Sequence, residues 1–199
     1  IAVRASITGH LVLSTIHTNN SLSTIERLLD MNVERYLLSS ALSGIISQKL
    51  AKMVCPHCHI KEETTPYQKK VFKMALDKDV DYIYNPNPKG CDKCNNGYHG
   101  RIAIQEVLEI NDEIRNALNE EGLEKDDLNK LVYTSDVITM LQDGLLKVLD
   151  GSTSFDEIYR IIDVDDDLDV YAKIRGIHYN EEKKEKTKIE ENTTDEEVL

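Results

Sequence analysis

The sequence predicts an α/β chain, mostly helical after its first strand, with an inserted tetracysteine zinc subdomain. Three observations lead there. The apolar run in "TGHLVLSTIHTNNS" (8–21) reads as a strand buried on both faces, because Leu11, Val12, Leu13 and Ile16 are strand formers in near-continuous apolarity. Helical spacings recur through most of the remaining chain. Four cysteines fall into two C-x-x-C pairs, Cys55/Cys58 and Cys91/Cys94.

After the strand, Thr18, Asn19 and Asn20 make a polar break. A helix follows, opened by the capping-box pattern Ser23-Thr24-Ile25-Glu26 and striped by Ile25, Leu28 and Leu29. In "RYLLSSALSGIISQKLA", Leu38, Leu42, Ile45, Ile46 and Leu50 keep helical spacing. Residues 55–100 change character, with cysteine, proline, glycine and asparagine at both ends and a short helix near residues 68–76 between them. "RIAIQEVLEI" reads as a strand returning to the main body. Asn111 is a plausible cap ahead of Asp112 and Glu113. "VITMLQDGLLKVLDG" puts Val137, Met140, Leu141, Leu145 and Val148 on one helical face, with Gly151 ending it. Ser154-Phe155-Asp156-Glu157 is a second capping box. After Asp163 the pattern fades. The expected divisions are therefore 1–54, 55–100, 101–162 and an acidic, disordered tail over 163–199.

Charge narrows the function. The chain carries 36 acidic and 24 basic residues, a net of -12. Residues 163–199 hold 13 acidic and 6 basic residues, so -7 lies there and -5 in the remainder. This excludes a sequence-independent grip on nucleic acid, which needs a basic face. No apolar run approaches the ~18 residues of a membrane span. The absence of an initiator methionine at Ile1 is read as a cut inside a larger protein.

Two C-x-x-C knuckles can deliver four thiolates to one tetrahedral metal. Pro56, Gly90 and Gly97 supply the sharp turns such knuckles need. Two disulfides or four buried thiols are the alternatives. Zinc with Cys55, Cys58, Cys91 and Cys94 is the favoured reading, and its closed shell makes the role structural. It would staple an excursion with too little apolar content to hold itself together. His57, His59 and His99 lie nearby in sequence, but four cysteines already fill the shell.

His10 and His17 bracket the predicted strand. A histidine in such a place is commonly structural. The carboxyl end of a parallel strand is also where α/β sheets bind ligands, and His17 is expected there. The chain has no G-x-x-x-x-G-K-[ST] to cradle a phosphate.

"IAVRASITGHLVLSTIHTNNS" resembles the histidine-box region of the secretion ATPases, the family powering type II secretion, type IV pilus assembly and competence pseudopilus assembly. "TIERLLDMNVERYLLSSALSGIISQKLAKMVCPHC", "GCDKCNNGYHGRIAIQEVL" and "DGLLKVLDGSTSFDEI" are similar to it too, so the resemblance covers about residues 1–162. It implies the C-terminal portion of a RecA-like P-loop ATPase domain, with Walker B acids and P-loop upstream. It also implies that one or both of His10 and His17 approach the nucleotide's terminal phosphate as catalytic residues and help couple hydrolysis to movement. The whole protein would bind ATP and Mg and act as a cytoplasmic homo-hexamer at the inner membrane. It would work with the cytoplasmic domain of a platform protein and with an adaptor. The fragment alone would be inactive. Lys49 stands where the family has arginine, which loses bidentate geometry. Asp136-Val137 stands where Gly-Met is frequent, and the last 35 or so residues match nothing in the family. A non-enzymatic zinc-stapled interaction module is the main rival, and a nucleic-acid-binding zinc ribbon a weaker one.

Overall fold

Two long antiparallel strands, β1 (Gly44–Val54) and β4 (Tyr98–Glu109), run through the whole of the computed structural model. The structure describes residues 2–120, 122, 125–134 and 136–175. Alternation decides which side of the ribbon is covered. Ile45, Ser47 and Ala51 on β1, and Ile104, Glu106 and Leu108 on β4, are buried. Ile46 and its partner Val107 face outward. The register slips between Lys52 and Val54. There the strand is held from the side: Lys52 N–H donates to Glu157 Oε1 at 2.9 Å, and Val54 N–H donates to the Ser152 carbonyl at 3.0 Å.

The ribbon corrects the helical reading of residues 38–50. Helix α3 (Arg35–Ala41) takes only the first part, burying Leu38 and Ser39. Ile45, Ile46 and Leu50 belong to β1. Their spacing fits a helix, but β4 offers a ladder to the backbone, and β-branched side chains pack well on a pleated surface.

Residues 10–17 form no strand. Leu11 and Leu13 are 91% and 88% exposed. A strand exists only by pairing, and among the described residues no strand lies beside this segment. The segment links α1 (Ala2–Ile7) to α2 (Ser21–Asp30). The cap of α2 is also not the expected one: Asn20 accepts the Ser23 N–H at 2.8 Å, so the helix starts two residues before Ser23.

The chain between β1 and β4 holds a small antiparallel pair, β2 (Ile60–Glu63) with β3 (Tyr82–Asn85), and helix α4 (Pro66–Leu76). Thr65 and Gln68 make a reciprocal capping box there. This excursion is richer in core residues than expected. Val71, Phe72, Met74, Ala75, Val80 and Ile83 are all buried.

Helices α5 (Asp112–Asn119), α6 (Lys125–Tyr133), α7 (Met140–Leu149) and α8 (Phe155–Ile161) follow β4. Asn111 caps α5 as expected, accepting from Ile114 N–H at 2.9 Å. Thr139 and Gln142 box the start of α7, and Gly151 at φ +79° follows its end. Met140, Leu141, Leu145 and Val148 of the expected face are buried, while Val137 precedes the helix. Ser154 caps α8, but Glu157 turns away to Lys52 and Arg160 instead of closing the box.

The expected disordered tail is helical over its first part. Helix α9 (Val164–Arg175) buries Val164, Leu168, Tyr171 and Ala172. Its acidic first turn, Asp165, Asp166 and Asp167, suits the helix dipole. The same acids hid the four-residue apolar stripe. Residues 176–199 lie outside the described residues.

Two apolar clusters flank the ribbon. One gathers Ala51 and Ile104 with residues of α4, α7, α8 and α9. The other gathers Ile45 and Leu108 with residues of α2, α3, α5 and α6. Among the described residues no helix is long and apolar enough to cross a membrane.

Candidate metal centre and histidine segment

The two knuckles sit at the root of the excursion. Cys55 follows the last residue of β1, and Cys94 lies four residues before β4. Cys55 N–H donates to the Gly97 carbonyl at 2.8 Å, tying one knuckle to the other. Gly97 has φ +79°, and a Cβ there would lie 2.6 Å from the backbone N and O of Asn87. Only glycine meets both conditions.

The four sulfur atoms lie within 4.8 Å of one another. Cys55–Cys91 is 3.9 Å, Cys58–Cys94 is 3.6 Å and Cys91–Cys94 is 3.6 Å between Sγ atoms. All four cysteines are free of disulfides. A tetrahedron with metal–sulfur bonds of about 2.3 Å has edges of about 3.8 Å. The sulfurs therefore already stand at the vertices such an ion requires. The alternative of two disulfides is not what the structure has. His57, His59 and His99 are exposed and outside the cluster, and the His59 ring packs edge-on to Tyr84 at 4.6 Å.

Local electrostatics differ among the thiols. Burial, then hydrogen bonds with the neighbouring cysteines, pushes the Cys58 thiol up to about 12. Burial also pushes Cys94 up, but N–H groups of Cys91 and Gly97 and the neighbouring thiols outweigh it, bringing Cys94 down to about 7. The Cys91 N–H donates to Cys94 Sγ at 3.1 Å. Four sulfurs this close cannot all carry charge unless a cation sits among them.

His10 and His17 are both exposed, at the two ends of the unpaired segment. The His10 Nδ1 lies 3.3 Å from Thr8 Oγ1. Neither approaches the cysteine cluster. Beyond His17, Thr18 Oγ1 lies 2.6 Å from Thr24 Oγ1, and Asn20 caps α2, so the segment runs directly into that helix. Lys49 donates from Nζ to the Ile161 carbonyl at 2.7 Å, a single bond for which the forked arginine geometry is not needed.

One residue of consequence escaped the sequence reading. The buried Glu106 carboxylate accepts Ser21 N–H at 3.0 Å through Oε1 and Met140 N–H at 3.1 Å through Oε2. It thus holds the first residues of α2 and α7 together. Its signal was parity: Glu106 shares the inward face with Ile104 and Leu108.

A family model described as "Type II/IV secretion system protein" matches residues 1–160. The chain is 41% identical over 162 residues to a putative type II secretion system protein E of Escherichia coli (strain K12), covering 81% of this chain and 32% of that protein. It is 39% identical over 162 residues to the type II secretion system ATPase E of Vibrio cholerae serotype O1, covering 81% and 31%. With the type II secretion system protein HxcR of Pseudomonas aeruginosa it shares 36% identity over 162 residues, covering 81% and 30%. The chain spans about a third of the length of these curated relatives.

Proposed function

Because the chain belongs to the type II/IV secretion system protein family, we propose that it is the C-terminal part of an ATPase that drives type II secretion. The match over residues 1–160 carries this reading. One relative is itself named a type II secretion system ATPase. Type IV pilus or competence pseudopilus assembly is the neighbouring possibility within the same family.

The proposed architecture is a RecA-like core completed by upstream sequence, with ATP and Mg bound there. The phosphate-cradling G-x-x-x-x-G-K-[ST] is not among these 199 residues, so hydrolysis depends on a loop supplied from outside them. His10 and His17 are assigned to the terminal phosphate, where a histidine N–H stabilises developing charge or orients the attacking water. Residues 10–17 would then pair as a strand with upstream sequence. Asn20 connects that strand to α2 and, through Ser21, to Glu106. A shift at the histidines is thereby passed to the ribbon.

Zinc is assigned to Cys55, Cys58, Cys91 and Cys94, where four thiolates close its shell. The ion would supply structural charge balance. The cysteines' own part is to hold the root of the excursion in place. The working unit is proposed to be a cytoplasmic homo-hexamer. It would lie peripheral to the inner membrane, against a platform protein and an adaptor.

The test is ATP turnover by the protein encoded by the whole gene, read upstream of Ile1. Magnesium-dependent hydrolysis that stops when the P-loop lysine is changed supports a motor. An upstream frame without a P-loop, together with no hydrolysis, leaves a non-enzymatic zinc-stapled interaction module.

A further inference from the structure

Asn96–Gly97 is the sole Asn-Gly pair in the sequence. It forms a tight turn between Cys94 and the start of β4. Asn95 N–H donates to the Tyr98 carbonyl and Tyr98 N–H to the Asn95 carbonyl, both at 3.0 Å. Asn96 has φ +50° and Gly97 φ +79°. Positive φ at both central residues is the two-residue hairpin turn for which Asn-Gly is a favoured pair.

That pair carries a reactivity of its own. The Gly97 nitrogen can attack Asn96 Cγ, and a glycine puts no side chain in the way. A C–N bond forms and closes a succinimide ring, the amide proton passes through solvent to the departing carboxamide nitrogen, and ammonia leaves. Water then opens the ring at either carbonyl, giving aspartate or isoaspartate. Asn96 is exposed, so water reaches its carboxamide.

The obstacle is Gly97, which is buried. Its N–H donates to the Cys94 sulfur, and its carbonyl accepts Cys55 N–H at 2.8 Å. A Cβ at this position would lie 2.6 Å from the backbone N and O of Asn87, so the residue has no room to swing. The attacking nitrogen is thus held by one knuckle and its peptide by the other. Ring closure requires these bonds to break in a local opening. A ligand bound only by the closed form suppresses such an opening in proportion to its excess over Kd, and a metal on the four thiolates is such a ligand.

The product does not fit back. Isoaspartate places an extra atom in the main chain between residues 96 and 97. The Gly97 N–H and carbonyl would then move off Cys94 and Cys55, against an Asn87 backbone already in contact.

We propose that Asn96–Gly97 is a deamidation site that the bound metal holds shut, and that isoaspartate formed there disables the metal centre for good. The inference rests on the zinc assignment and adds to it a one-way route by which the site is lost.

The test is peptide mapping by mass spectrometry of the full chain, aged at neutral pH under reducing conditions with zinc and with zinc removed by a chelator. Conversion of Asn96 should run roughly tenfold faster or more without zinc. Asn20–Ser21, where Asn20 caps α2, is the internal control and should keep its rate. Isoaspartate-bearing chains should fail to take zinc back. Asn96→Asp carries the charge without the extra main-chain atom, tolerates the left-handed backbone, and should bind zinc like the parent. Equal conversion of Asn96 with and without zinc overturns the proposal. So does equal acceleration at Asn20, which would mean that the whole chain has opened. Full zinc recovery by isoaspartate-bearing chains, or loss of zinc from Asn96→Asp, overturns it too. Failure of the fresh chain to bind zinc is read before any ageing begins; it strikes the metal assignment itself, and this inference with it.

Discussion

Glu106 and Met140 meet across the core, the Glu106 Oε2 accepting the Met140 N–H at 3.1 Å. The other oxygen of the same carboxylate takes Ser21 N–H. One side chain from β4 thus satisfies the first N–H of α7 and the first of α2, where the helix dipoles also favour negative charge. Glu106→Gln keeps the shape but turns an amide donor toward one of the two N–H groups. It should lose about 1–3 kcal/mol, and Glu106→Ala about 3 kcal/mol or more. Urea unfolding midpoints read this, and an isosteric Gln variant as stable as the parent would remove the carboxylate from the account.

The cysteine geometry predicts one zinc per chain after reductive purification. Cys94→Ser should release the metal and lower the melting temperature, as should a strong chelator. Metal analysis by mass spectrometry checks the content. Folded protein holding almost no zinc ends the assignment.

Asp167 gives a pH dependence with a definite sign. Burial first, then the charges of Glu106, Asp163 and Asp166, raise its carboxyl from 3.8 to about 7, against a lowering by the Tyr133 hydroxyl, which donates to it at 2.9 Å. The folded chain therefore holds this proton where the unfolded chain has lost it. The stability it contributes is full below about pH 4 and is lost as pH rises through about 7. Asp167→Asn should be more stable than the parent near pH 8 by roughly 1–2 kcal/mol or more, the gap closing as pH falls to about 4. Melting curves across that range measure it, and parallel curves for the two proteins would contradict it.

Under the proposed motor function, His17→Ala in the whole protein should lower ATP turnover roughly 10²-fold or more with the fold intact. His10→Ala should lower it as well. Turnover at the parental rate in either variant takes that histidine out of the reaction.

The cysteine cluster could be read from the chain because its chemistry is local: two short knuckles, each with its own turn residues. The strand at β1 could not, because Leu38, Leu42, Ile45 and Leu50 satisfy helical spacing equally well. What decides is β4, more than forty residues further along. The segment over residues 10–17 shows the same dependence in reverse. Its composition favours a strand, yet Leu11 and Leu13 remain exposed where the described residues supply no neighbour. Helix α9 was masked by its own charge, since Asp165, Asp166 and Asp167 outnumber the apolar residues that anchor its first turns.

The position of the knuckles has a consequence for how the chain folds. β1 and β4 are joined through an excursion, and their pairing must bring together residues as distant as Gly44 and Glu109. That closure costs entropy before any ladder bond forms. With a metal bound, Cys55 and Cys91 are pinned at the foot of both strands, and the ion serves as the turn of a hairpin that the sequence itself lacks. Metal capture would then precede strand pairing, so the speed of refolding would follow the free zinc concentration.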